Sequence, residues 1–311
     1  MGIKMKIVLL DTLTFGETDL SAFDALGEVE VYQTTAQEET QGRIINATVI
    51  VTNKVLITKE LMQNSASLKL ICVAATGTNN VDLKAAKELG IVVKNVAGYS
   101  TDSVIQHTFS MLFYLLGHSR YYDESVKDKT YSKSPIFTDV SHPFFEVKGK
   151  KWGIIGLGSI GRGVASIAQA FGAELLYYST SGVNRTEDFQ RTTLENMLQT
   201  CDIITIHAPL NDKTDNLLTY EKLLMCKDGA VVLNLGRGGI INEDAVAKLV
   251  DEKNIYFGLD VFTKEPLNIK SPLLEVKNKE RLYLTPHIAW TSVEARDKLI
   301  ASVVANIKES F

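Results

Sequence analysis

Cysteine is scarce in this 311-residue chain, with three residues, Cys72, Cys201 and Cys226, far apart and each in or beside an apolar run. An odd, widely spaced set argues against a disulfide framework and against a metal cluster. The three read instead as small buried hydrophobes of a reducing cytoplasm. Long apolar runs are missing as well. The N-terminal one, Ile7-Val8-Leu9-Leu10, is closed at once by Asp11. It is too short for a secretory leader, and no other stretch approaches the roughly 20 apolar residues that a membrane span requires. An excess of positive charge is also absent: 33 Lys and Arg stand against 37 Asp and Glu, a formal charge of −4, and the basic residues are scattered. That gives no footprint for a nucleic-acid backbone. The five histidines show no metal-ligand spacing, so no metal is expected.

What is present is an ordinary globular mixture, 45% hydrophobic and 23% charged, long enough for two compact units. The first hundred residues alternate short apolar runs, such as Lys6–Leu10, Thr48–Thr52 and Leu70–Ala74, with helix-like stretches such as Leu83–Leu89. Alternation of this kind predicts a parallel sheet covered on both faces. Ser103–Tyr121 reads as one buried helix, followed by an irregular stretch from Lys127 to Gly149. A second alternating series starts at Lys151 and runs to Leu284, and Ser292–Phe311 reads as an amphipathic helix.

The second series opens with a strand running into Gly156-Leu157-Gly158-Ser159-Ile160-Gly161, with a helix behind it. A glycine pattern in that setting predicts a dinucleotide site. Gly156 permits the tight turn, Gly158 lets the backbone approach a pyrophosphate, and Gly161 lets helix pack on strand. The helix N-terminus offers unpaired N–H groups to the phosphates. About 20 residues on, NAD sites normally carry an acid that holds the ribose hydroxyls. Here Ser179 stands in that position, followed by Thr180 and Ser181. With no carboxylate to repel a 2′-phosphate, these hydroxyls and Arg185 are expected to accept NADP as well as NAD. His207-Ala208-Pro209 ends the next strand on the cofactor side, and His207 is expected to reach the cofactor through its backbone.

Three later motifs each project one polar side chain from the carboxyl end of a predicted strand. They are Asn234-Leu235-Gly236-Arg237-Gly238, Asp260-Val261-Phe262-Thr263-Lys264-Glu265-Pro266 and Thr285-Pro286-His287-Ile288-Ala289-Trp290. Open α/β sheets bind their ligands at those ends. A guanidinium, a carboxylate and an imidazole together suit reduction of a 2-keto acid. Arg237 would hold the carboxylate and polarise the carbonyl. His287 would donate a proton to the alkoxide formed as hydride arrives, and Glu265 would favour the charged imidazole and orient it.

On these motifs, and on Thr76-Gly77-Thr78-Asn79-Asn80-Val81-Asp82 and His207-Ala208-Pro209-Leu210, the chain resembles the D-isomer-specific 2-hydroxyacid dehydrogenases over nearly its whole length. The resemblance implies two Rossmann-like, doubly wound parallel-sheet domains. The substrate domain would be discontinuous, residues 1–98 plus 287–311, around a dinucleotide-binding domain at 99–286. It implies catalysis by Arg237, Glu265 and His287, an approach of Asp260 to the nicotinamide amide, and a substrate carboxylate held near Thr76 and Gly77. A cytoplasmic homodimer that closes by hinge motion is the further expectation.

Gly98-Tyr99-Ser100-Thr101-Asp102-Ser103-Val104, Gln106-His107 and Trp290 are similar to one branch, the bacterial glycerate dehydrogenases, also called hydroxypyruvate reductases. Trp290 would then limit substrate size, and His107 would bond at the domain interface. Two alternatives stand beside this reading. A D-lactate or phosphoglycerate type is disfavoured by Trp290 and by a chain that stops after its last helix, without an appended domain. A nucleotide-sensing corepressor is disfavoured by the lack of polar tails.

Overall fold

The computed structural model describes residues 5–183 and 188–311. Arg185 therefore lies outside the described residues. Two compact α/β units emerge. One runs to Ser100 and resumes at Trp290–Phe311, and the other is Thr101–Ala289. The crossings fall a few residues beyond 98 and 286, so His287 stands in the second unit.

The first unit holds five strands, β1 (Lys6–Leu9), β2 (Glu28–Val31), β3 (Val49–Thr52), β4 (Leu70–Val73) and β5 (Val92–Asn95), in the order β2-β1-β3-β4-β5. All neighbours are parallel. The segments VIVT and LICV of β3 and β4 are buried at every position, as central strands of a sheet covered on both faces must be. Helices α1 (Gln37–Ile44), α2 (Lys59–Gln63) and α3 (Leu83–Glu88) follow successive strands. Thr58 and Asp82 cap α2 and α3 by accepting the N–H groups of Leu61 and Ala85. One sheet face packs Val8, Ile50 and Ile71 against Leu61, Met62 and Ala85. The other packs Ile7, Val49 and Leu70 against Leu299, Val303 and Ile307 of the C-terminal helix Val293–Lys308. Each such side chain, fully buried, is worth about 1.5–3 kcal/mol. That is why the last residues of the chain return to complete a sheet begun at its first.

In the second unit α4 (Thr101–Leu116) and α5 (Ser119–Lys127) come first. The single helix expected over Ser103–Tyr121 is broken at Gly117-His118, where His118 adopts φ +47°. The physical reason lies in the pattern: the buried stripe of α4 ends at Leu116, and α5 is polar and mostly exposed. The strands are β6 (Lys151–Ile155), β7 (Glu174–Tyr178), β8 (Gln190–Arg191), β9 (Ile203–Ile206), β10 (Val231–Asn234), β11 (Tyr256–Leu259) and β12 (Leu282–Leu284). Helices α6 (Ser159–Ala170), α7 (Leu194–Thr200), α8 (Tyr220–Leu224) and α9 (Glu243–Glu252) connect them. The sheet order is β12-β11-β10-β9-β6-β7-β8, parallel throughout. Strand order reverses between β6 and β9, which is the switch point where such sheets bind ligands.

Candidate active site

At the switch point β6 runs out at Ile155 and the chain turns through Gly156 at φ +92°. A Cβ there would also press to 2.9 Å from the Ala208 amide nitrogen, so both backbone and space require glycine. Gly158 caps α6 without a side-chain bond, and the position of its missing Cβ is open. The unpaired N–H groups of the first turn, at Ser159 and Ile160, thus face an unobstructed cradle. A Cβ on Gly161 would strike the Gly156 carbonyl, which locks helix to turn. In front lies a cavity of about 500 Å³, lined among others by Gly156, Gly158, Ser179, His207, Pro209 and Lys213. A chain with these gaps fits a dinucleotide.

Ser179, at the end of β7, is 7% exposed and donates its hydroxyl to the Val183 carbonyl at 2.7 Å, with the Ser181 hydroxyl at 3.3 Å. Thr180 and Ser181 complete that side of the cavity. Ala208 packs behind Gly156.

The three polar side chains follow three adjacent strands, β10, β11 and β12. Asn234 sets the first turn: its amide donates to the Arg237 carbonyl at 2.8 Å while its oxygen accepts from Gly236 N–H at 3.1 Å. Arg237 Nη1 curls back to the Gly236 carbonyl at 2.8 Å, one of its five N–H donors. Gly238 lies against the Phe262 main chain so closely that a Cβ would overlap its carbonyl. The Arg237 turn and the Glu265 loop are thereby fastened together. Glu265 accepts from Phe262 N–H at 3.1 Å through Oε1 and binds His287 Nδ1 at 2.8 Å through Oε2. That bond leaves His287 Nε2 as the ring's outward nitrogen.

His287 itself sits at φ +54°, a left-handed conformation that costs a non-glycine residue about 1–2 kcal/mol. Asp260 compensates. Its carboxylate accepts the Thr285 hydroxyl at 2.7 Å and the N–H groups of Ile288 and Ala289 at 2.8 and 3.0 Å. Asp260, the residue expected to approach a nicotinamide amide, has a side chain 1% exposed that grips the turn carrying His287. His107, on α4, extends this grip within the same unit, with Nε2 3.2 Å from Thr285 Oγ1 and 3.6 Å from Asp260 Oδ1. The Thr285 proton is committed to Asp260, so His107 Nε2 must carry the donor proton. Burial pushes the His107 pKa down despite the nearby carboxylate, which agrees with a neutral ring.

Thr76, Gly77 and Trp290 belong to the other unit. Thr76 follows β4, donates its hydroxyl to the Val96 carbonyl at 3.2 Å and accepts the Asn95 amide at 2.6 Å on its own carbonyl. Gly77 continues that loop, partly exposed. Trp290 meets Tyr99 edge-on at 6.1 Å.

Residues 109–289 match the model of the family described as D-isomer specific 2-hydroxyacid dehydrogenase, NAD binding domain. A hydroxypyruvate reductase of Blautia hydrogenotrophica is 35% identical, with 98% of this chain and 96% of the relative covered. The chain belongs to the D-isomer specific 2-hydroxyacid dehydrogenase family. Two solved structures share the enzyme's fold. An acyclic imino acid reductase in complex with NADPH and D-Arg has a TM-score of 0.86 at 29% identity, covering 98% of this chain and 96% of its own. D-lactate dehydrogenase from Aquifex aeolicus, complexed with NAD and lactic acid, has a TM-score of 0.85 at 26% identity, covering 97% and 94%. The dehydrogenase is therefore an oxidoreductase with a nicotinamide dinucleotide as its cofactor class.

Reading the sequence missed the roles of Asn234, Thr285 and His107 in setting these turns, and the placing of Lys213 on the cavity wall. A polar residue inside an apolar run signals each of the first three. Lys213 carries a fainter signal, as a charge four residues beyond His207-Ala208-Pro209.

Proposed function

We propose that the dehydrogenase reduces a small 2-keto acid of the hydroxypyruvate or glyoxylate type to its D-2-hydroxy acid, using Arg237, Glu265 and His287. The observation that carries this is the 2.8 Å bond between Glu265 and His287 Nδ1 on a turn pinned by Asp260. When bound, the reduced nicotinamide supplies the hydride. Arg237 pairs with the substrate carboxylate and polarises the carbonyl with its remaining N–H donors. Glu265 holds the imidazolium through Nδ1, and His287 gives the Nε2 proton to the developing alkoxide. The hydroxy acid leaves with one hydride and one proton added, and His287 recovers its proton from water.

The cofactor is NADPH as well as NADH. Among the described residues that end β7 there is no carboxylate; Ser179, Thr180 and Ser181 offer hydroxyls there, and Lys213, with Asp212 beside it, lies on the cavity wall. An S179D variant is expected to raise the KM for NADPH about 10- to 100-fold through like-charge repulsion and to leave NADH nearly unchanged. The enzyme works as a cytoplasmic homodimer. Three buried free thiols suit a reducing compartment. The exposed side chains of Ile136, Phe137, Val140 and Phe144, clustered in one irregular segment, suit a partner surface. Among the described residues no helix is long and apolar enough to cross a membrane.

Absorbance of the reduced nicotinamide, followed with hydroxypyruvate, glyoxylate and pyruvate under each cofactor, tests the proposal. Rapid oxidation with one of the first two, abolished in H287A, is the expected result. Silence across the panel from a protein that still binds the nucleotide overturns the catalytic reading.

A further inference from the structure

His287 stands on an irregular stretch, residues 285–289, that follows β12 at the outer edge of the sheet and ends where its unit ends. Helix α4 runs alongside. Tyr114 of α4 stacks on Tyr283 of β12, with ring centroids 4.0 Å apart. Nearer the start of the helix, His107 Nε2 lies 3.2 Å from Thr285 Oγ1, and Ser103 donates its hydroxyl to the Ala289 carbonyl at 2.6 Å. The spacing of residues 103, 107 and 114 puts all three on one helix face. They meet residues 289, 285 and 283 in that order, so α4 lies antiparallel to the stretch and holds it at both ends.

Packing accounts for the tyrosine pair but not for the two polar residues. Val104, Ile105, Phe109 and Met111 already bury the core side of α4, and apolar groups at 103 and 107 would only widen that stripe. What the imidazole adds is direction. A threonine hydroxyl rotates to suit its neighbours. With a ring N–H aimed at its oxygen, the Thr285 proton turns to Asp260 Oδ1 at 2.7 Å. The same carboxylate takes the N–H groups of Ile288 and Ala289, and these bonds close around the left-handed backbone of His287. Hydrogen bonds in such a chain polarise one another, so losing the first donor weakens those behind it. Ser103 fixes the far end of the same turn through the Ala289 carbonyl.

We propose that His107 is a positioning residue for the reaction: its ring N–H, acting through the Thr285 hydroxyl and Asp260, sets the aim of His287 Nε2, with Ser103 of the same helix face as its second hold. The inference rests on the proton-donor reading of His287 and adds the element that keeps the donor on target. A polar pair on an otherwise apolar helix then has a cause.

The test measures reduction of hydroxypyruvate and glyoxylate with NADH by the parent, H107L, H107Q and S103A, each checked for folding by thermal melting. H107L keeps the side chain's bulk and loses the donor. Its kcat is expected to fall about 3- to 10-fold, the worth of one neutral hydrogen bond, with the KM for NADH unchanged. S103A should act in the same direction. H107Q keeps an N–H near the place of Nε2 and should recover most of the loss. The solvent isotope effect on kcat should rise in H107L and return to the parent value in H107Q, because a misaimed His287 delivers its proton more slowly. Lost packing alone does not give that pattern. Histidine 15N spectra of the parent need no substitution, and they should show His107 neutral with its proton on Nε2. A folded H107L with the parent's kcat and isotope effect overturns the proposal, as does an H107Q as impaired as H107L. A neutral His107 with its proton on Nδ1 overturns it even where H107L fails to fold. A parent inactive on both keto acids overturns the proton-donor reading itself, and this inference with it.

Discussion

Replacing Asp260 with Asn keeps the side chain's shape and removes its charge, and the cost can be worked from the bonds it makes. The carboxylate accepts three donors, the Thr285 hydroxyl and the N–H groups of Ile288 and Ala289, at 2.7–3.0 Å. An amide accepts on one side only. In its better orientation the oxygen keeps Thr285 and Ile288, and the NH2 group confronts the Ala289 N–H. One charge-assisted bond is lost, worth about 1.5–3 kcal/mol, and a buried donor is left facing a donor, at about 1–3 kcal/mol more. A net loss of roughly 3 kcal/mol is expected. In a unit of about 190 residues that lowers Tm by about 6–12 °C. The left-handed His287 loses its clamp at the same time, and displacing a proton donor by about 1 Å costs on the order of 100-fold in kcat. Thermal melting of the free enzyme and steady-state kinetics read both effects. A D260N protein that melts with the parent but shows a raised KM for the nucleotide would refute this reasoning and assign Asp260 to the nicotinamide.

G238A forces a methyl group into the Phe262 carbonyl, so it should destabilise the protein by about 3 kcal/mol and lower kcat by parting the Arg237 turn from the Glu265 loop; urea unfolding and turnover measure the two. Burial pushes the thiols of Cys72, Cys201 and Cys226 up to about 12, 11 and 12, so a disulfide reagent should modify none in the native protein and all three in denaturant. His207, held near a pKa of about 3 against 6.5 unfolded, contributes stability that is complete above about pH 6.5 and is lost as the pH falls, because only the unfolded chain takes up the proton. At about 1.4 kcal/mol per unit, the parent should lose roughly 2 kcal/mol between pH 6.5 and 5 that H207L does not, read from denaturation at each pH.

Local pattern and spacing determined a good deal about this protein. Runs such as VIVT and LICV, set between helix-like stretches, suit a doubly covered parallel sheet, and the turn from Gly156 to Gly161 stands out because at Gly156 and Gly161 only glycine tolerates the close approaches. Arg237, Glu265 and His287 stand out because each is a lone polar group at the end of an apolar strand. What tertiary structure decided is how those groups are held. The bond from Glu265 to His287 joins residues whose partnership depends on the register of β11 and β12. The clamp from His107 through Thr285 to Asp260 spans a helix and two strands, and its members look in the sequence like ordinary polar interruptions. The break at Gly117-His118 was hidden for a similar reason, since apolar content continues smoothly to Leu116 and only the packing shows where the covered face ends. Sequence carries the periodicity that makes an element and the backbone demands of a turn. Which buried donor meets which acceptor is set by strands that come together in space, and for His287 that pairing holds the imidazole in place.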